Sequence, residues 1–213
     1  MKPITDAWLR EQTLNKRLKG VTFFNELQQT APEELKNLLN KVDLYTADAN
    51  EIILQQGDPA SALYFLLEGE LSVQRLPILT QSITQISAGE MLGAMGMFTN
   101  RQRSASLRVS SSRAVILEVD YSLLEAGAES PLLSTHTRLQ LFRHMTASLR
   151  WNLEKLRMTH QDDGLSQAIR KIPLYVVGGI GQDELVELEF LRNQAQFMAT
   201  LLSEWSGRHS LAG

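Results

Sequence analysis

Three patterns of apolar and polar positions follow one another along the chain. Up to about residue 40 the apolar residues recur at helical spacing. Thr5 or Asp6 can cap a helix running to about Lys19, with Trp8, Leu9 and Leu14 as its apolar contacts and Gly20 as its stop. Pro32 suits the first turn of a second helix, with Leu35, Leu38 and Leu39 on one face. From about Val42 short apolar runs alternate with turn residues. Val42–Thr46, Glu51–Gln55, Leu63–Leu67, Glu70–Leu76, Ser82–Ile86, Ser104–Val109 and Ala114–Val119 each read as strands, punctuated at Gly57–Asp58–Pro59, Glu68–Gly69 and Ala88–Gly89. Seven or eight short strands over about eighty residues predict an antiparallel sandwich or jelly roll, so the fold class is mainly β with flanking helices.

Beyond Asp120 the helical period returns. Leu139, Phe142, Thr146, Leu149, Leu153 and Leu156 alternate by three and four, a heptad seam. Such a seam serves either a helix packed on its own sheet or a two-helix dimer. Phe142, Met145, Trp151 and Leu153 supply more apolar surface than one contact stripe requires, which favours a homodimer through about 134–158. Gln161–Asp162–Asp163–Gly164 reads as a hinge. A short helix (Leu165–Lys171), a strand-like piece (Leu174–Val177), a glycine turn (Gly178, Gly179, Gly181) and a last helix from about Asp183 to Trp205 follow. The expected units are thus an N-terminal helix (1–20), a β-roll (21–130), a long helix (131–160) and an acidic, mainly helical tail (161–213).

Composition narrows the function. The 213 residues include no cysteine, which removes disulfide scaffolds, thiolate nucleophiles and cysteine-held metal clusters. Net charge is −3, with no global pull toward nucleic acid or anionic lipid. The apolar runs fall far short of the roughly 20 residues that span a bilayer, and the first residues have no signal-like apolar core, so a cytoplasmic location is expected. His136, His144, His160 and His209 lack the spacing of a metal site, and no nucleophile has an evident base. No enzyme, cofactor or metal is expected.

One segment carries chemistry: GEMLGAMGMFTNRQRSASL, Gly89 to Leu107. Gly93 lets backbone approach a ligand closely, and the amides of Ala94 to Met97, if they open a helix, can face an anion. Arg103 offers a planar cation that can grip two phosphate oxygens, and Ser104 a hydroxyl. Together with GDPASALYFLLEGELSV (Gly57–Val73), this stretch resembles the cyclic nucleotide-binding domain of the catabolite-activator (Crp/Fnr-like) family over residues 21 to about 160. The resemblance implies a β-roll, a phosphate-binding cassette at Leu92–Leu107 and a dimer helix that closes over the base. Carried over, it places the amides around Gly93, Ala94, Met95 and Gly96 on a cyclic phosphate, with Arg103 and Ser104 completing the contacts. Asn152 and Leu153 would lie nearest the base.

One departure changes the expectation. Ala94 stands where the family has a glutamate that accepts from the ribose 2′-hydroxyl, a loss on the order of 1.5–3 kcal/mol, and Glu90 is no obvious substitute. Arg101 adds a second cation near Arg103. Three ligand outcomes fit: weak binding of cAMP or cGMP, another anionic ligand such as a cyclic dinucleotide, or an empty pocket kept as scaffold.

The family's usual winged helix-turn-helix is not evident. Residues 161–213 hold seven acidic and four basic residues, the whole net charge, and a reader helix of that sign repels phosphate. Leu185, Leu188, Leu191, Ala195, Met198, Leu202 and Trp205 form another apolar stripe, which either folds back on the chain's own helices or docks a protein partner through 183–205. The expected function is a dimeric, non-enzymatic regulatory or adaptor protein in signal transduction. The alternatives are a transcriptional regulator with a diverged DNA reader and a ligand-free scaffold subunit.

Overall fold

A computed structural model describes residues 1–74, 84–99, 102–124, 132–159, 163–174 and 183–210, the side chains of 163 and 206–210 excepted. Among the described residues nine strands form two antiparallel sheets. The first orders β1 (Lys2–Pro3), β2 (Asp43–Asp48), β9 (Arg113–Asp120), β4 (Ala62–Glu68) and β7 (Met91–Leu92); the second orders β3 (Ile52–Leu54), β8 (Ser106–Val109), β5 (Glu70–Gln74) and β6 (Thr84–Ser87). This is the expected jelly roll, and the seven predicted strands match β2–β6, β8 and β9, with residues 75–76 and 82–83 outside the described set.

The alternation along β4 and β9 builds two cores. Leu63, Phe65, Leu67, Val115, Leu117 and Val119 face the helices, whereas Ala62, Tyr64, Leu66, Ala114 and Ile116 face the second sheet. A strand buried on both faces reads as the near-continuous apolar run Ala62–Leu67. Strand register sets Tyr64 opposite Glu118, and Glu118 opposite Asp43, on the inter-sheet side.

Helix α1 (Ala7–Arg17) starts as the sequence predicts: the Asp6 carboxylate accepts from the Leu9 amide at 2.7 Å. Of its expected contacts Leu14 is buried, but Trp8 and Leu9 are exposed, and Thr13 and Leu18 complete the buried side instead. Helix α2 (Thr22–Thr30) lies between the two expected helices and seats Phe24 on Phe65, ring centres 4.7 Å apart. Helix α3 (Pro32–Leu39) buries Leu35 and Leu38. Its Glu34 carboxylate accepts from the Ser134 amide at the start of the long helix, α5 (Thr135–Thr159).

The apolar seam of α5 is real, but its partner is in the same chain. Leu139, Phe142, Met145, Thr146, Leu149 and Leu153 are buried, largely by α7 (Glu184–Ser210), whose Leu191, Ala195, Met198, Leu202 and Trp205 are buried in return. Of the tail stripe only the first positions escape: Leu188 is half-buried and Leu185 exposed. Pairs 136–184 and 143–187 advance in step, so the two helices run in the same direction. Of the four residues that favoured a homodimer through 134–158, Phe142, Met145 and Leu153 are thus covered within the chain. The acidic start of α7 is also engaged within the chain, Glu184 by His136 and Glu187 by Arg143. Trp151 does stay exposed, with the Lys155 ammonium 5.8 Å above its ring.

Helix α5 ends at Thr159, where the sequence predicts a break, and the expected short helix, α6 (Asp163–Arg170), starts two residues earlier than predicted, at Asp163. The rest of the hinge, the strand-like piece from 175, the glycine turn at 178–181 and Arg101 lie outside the described residues. No described helix is long and apolar enough to cross a membrane, and no cluster of metal-ligating side chains occurs among the described residues.

Candidate binding site: a cavity over the glycine-rich turn

The turn after β7 is set by Gly93, whose φ of +89° places it in the left-handed region. A Cβ there would also lie 3.0 Å from the Ala62 carbonyl oxygen and 3.0 Å from Arg103 Nη1. The turn opens α4 (Ala94–Phe98), a short helix held from below by the Tyr121 hydroxyl, which donates to the Gly93 carbonyl at 2.7 Å. Gly96 is a close-approach position: a Cβ would come within 2.6 Å of Ala60 Cβ.

Above this turn lies a cavity of about 450 Å³. All seven predicted site residues line it: Gly93, Ala94, Met95, Gly96, Arg103, Ser104 and Asn152. Leu54, Val73, Ile86 and Leu107 from the second sheet give it an apolar floor, and Leu149, Lys155 and Leu156 of α5 close one side. Leu153, placed near the base by the resemblance, is fully buried in the helical core and does not line the cavity. Leu202 of α7 reaches the wall, a residue with no local sequence signal for this role.

One expected contact is corrected in detail. The Gly96 amide donates to the Gly93 carbonyl at 3.0 Å, so it does not face a ligand. The amides of Ala94 and Met95, at the start of the helix, have no intrahelical acceptor. One oxygen of Glu90 accepts from the Ser87 amide at 2.8 Å, which ties that carboxylate to its own turn.

Arg103 is the electrostatic centre. It is 7% exposed, donates from Nη1 to the Ala62 carbonyl at 3.2 Å and from Nη2 to the Tyr64 hydroxyl at 3.4 Å, and its guanidinium lies 5.0 Å from the Tyr64 ring centre. Its backbone is pinned as well, by reciprocal bonds with Gly57 and Asp58. Among the described residues no carboxylate forms an ion pair with it. A cation buried beside neutral acceptors leaves much of its charge uncompensated, an arrangement that favours a bound anion.

Behind Arg103 lies a group that the sequence did not mark. Glu118 of β9 stands directly opposite Tyr64 of β4, and Asp43 of β2 stands opposite Glu118 in turn. Burial, reinforced by the Glu118 charge, pushes the Tyr64 phenol up to about 12. Burial also raises Glu118 above the ordinary carboxylate value, with the Asp43 charge acting in the same sense.

The comparisons with known proteins meet this geometry. The cyclic nucleotide-binding domain profile matches residues 46–130. That stretch is thus similar to a cyclic nucleotide-binding domain. The domain covers β3 to β9 and the whole glycine-rich turn. Over 177 residues, 82% of its length, the chain is 27% identical to a cGMP-dependent protein kinase of Caenorhabditis elegans, covering 21% of that protein. A cAMP-dependent protein kinase type II regulatory subunit of Drosophila melanogaster is 26% identical over 123 residues, 57% of this chain and 32% of that subunit. The chain therefore spans a fifth to a third of the length of these curated relatives. A cyclic nucleotide-binding domain from Methylobacillus flagellatus superposes with a TM-score of 0.52 at 26% identity, over 62% of this chain and 76% of that one.

Proposed function

We propose that this chain is a regulatory module whose cavity binds the phosphate of a cyclic nucleotide and reports occupancy through α5 and α7 to a protein partner. The observation that carries the reading is Arg103, a cation nine-tenths buried at the wall of a 450 Å³ cavity with no paired carboxylate among the described residues. The similar proteins, a cGMP-dependent kinase and a regulatory subunit of a cAMP-dependent one, supply the ligand class, cAMP or cGMP. The amides of Ala94 and Met95, which have no intrahelical acceptor, and the Ser104 hydroxyl share the phosphate in this reading, since all three residues line the cavity.

Occupancy has a route outward. Phe98, at the end of α4, meets Phe142 of α5 with ring centres 6.0 Å apart, and its carbonyl accepts from Gln196 of α7 at 2.5 Å. Any shift of the glycine-rich turn is therefore felt by both long helices. A ligand moves that equilibrium only by binding one helix arrangement better than the other.

A thermal-shift screen with cAMP, cGMP and cyclic di-GMP tests this reading. A ligand at 100 times its dissociation constant adds about 2.7 kcal/mol. The expected result is a rise in Tm of several degrees with a cyclic mononucleotide that Arg103→Ala abolishes. A shift with the cyclic dinucleotide alone would reassign the ligand, and no shift at millimolar concentration with any of them would point to a scaffold.

A further inference from the structure

Arg103 lacks an ion-pair partner among the described residues, yet a carboxylate sits one hydroxyl away. The Tyr64 oxygen accepts from Arg103 Nη2 at 3.4 Å, and Glu118 stands opposite Tyr64 on the neighbouring strand. Tyr64 and Glu118 are directly opposed across β4 and β9, so strand register fixes that pair, and Arg103 reaches it from the segment between α4 and β8, pinned there by its backbone bonds to Gly57 and Asp58. Glu118 is itself half-buried on the inter-sheet side, where a glutamate has no packing role to play.

We infer that Glu118, acting through the Tyr64 hydroxyl, positions Arg103 and competes with the bound anion for its charge. The inference rests on the reading of the cavity as an anion site. An anion against Arg103 withdraws the field that helps keep Glu118 ionised, so binding is linked to proton uptake at Glu118. By the same linkage, acidification tightens the anion. The other groups facing Glu118 are Asp43 and Tyr45 of β2 and Tyr64 of β4. Asp43 adds negative charge that favours the protonated form, and the two phenols stay neutral throughout the range concerned. Glu118 is a positioning residue here, one step removed from the ligand.

Two measurements test it on the full chain. In the first, cAMP, whose phosphodiester stays ionised throughout, is titrated calorimetrically into wild-type protein and Glu118→Gln at about pH 8 and about pH 5.5. The wild type should gain affinity on acidification, on the order of fivefold. Glu118→Gln should be flat, at the tighter wild-type value. An unchanged pH profile in Glu118→Gln overturns the inference. No cAMP binding by any protein at either pH overturns the proposed function instead.

The second measurement needs no ligand. Thermal midpoints of Glu118→Gln, Tyr64→Phe and the double variant, all close in shape to the native side chains, form a cycle at about pH 8. Non-additivity is expected if Tyr64 relays Glu118, and additive effects overturn the relay.

Discussion

At Gly96 the margin for change is smallest. An added methyl sits 2.6 Å from Ala60 Cβ and 3.0 Å from the Tyr121 hydroxyl, so Gly96→Ala must push α4 off its seat. The expected cost is about 1–3 kcal/mol, read as a fall in the denaturant midpoint. Ala94 invites the opposite change. Ala94→Glu restores the ribose acceptor that the family resemblance implies, and should tighten cAMP by about tenfold while leaving 2′-deoxy-cAMP unaffected. Equal effects on the two ligands would show that residue 94 does not face the ribose. Glu118 sets a pH trend in the ligand-free protein. Burial raises its carboxyl, so the folded chain keeps a proton there that the unfolded chain releases. This group's contribution to stability is complete below its ordinary value of 4.5 and is lost as pH rises through the raised one. Glu118→Gln should therefore gain Tm relative to wild type between about pH 4 and pH 7. A constant difference across that range would contradict the assignment.

Among the elements, α7 has the largest role that local sequence left undecided. Its apolar stripe was legible, and so was the stripe on α5. A stripe specifies a complement but not the chain that provides it, so dimer seam and internal helix pair read alike until both helices are placed. Trp8 and Leu9 show the converse: apolar side chains at helical spacing that the fold leaves in water, since the buried side of α1 runs through Thr13, Leu14 and Leu18. Met198 is fully buried in α7. Met198→Ala should cost about 2–5 kcal/mol in global stability, measured by chemical denaturation. A loss near zero would mean that α7 is not held as described. The strands were easier to read, because alternation and turn residues are local properties. Only the two-residue pieces β1 and β7 were too short to carry a pattern.

For the molecule as a whole, the candidate site was half legible. The glycine turn, Arg103 and Ser104 sit within a dozen residues of one another and announce themselves. Tyr64 and Glu118 are brought together by strand pairing across 54 positions, and Leu202 by a helix returning from the tail, so no local motif could have named them. Coupling between cavity and tail makes a further prediction. Hydrogen exchange with cAMP present should slow in residues 94–98 and also in 191–205, far away in sequence. Protection confined to the glycine-rich turn would contradict transmission through the Phe98–Phe142 and Phe98–Gln196 contacts. The central claim, that Arg103 makes this cavity an anion site for a cyclic nucleotide, is tested most directly by calorimetric titration of cAMP and cGMP into wild type and Arg103→Ala. The account predicts saturable binding of at least one of them by the wild type and a loss of about a hundredfold or more in the variant. Equal affinity in the two proteins would contradict it.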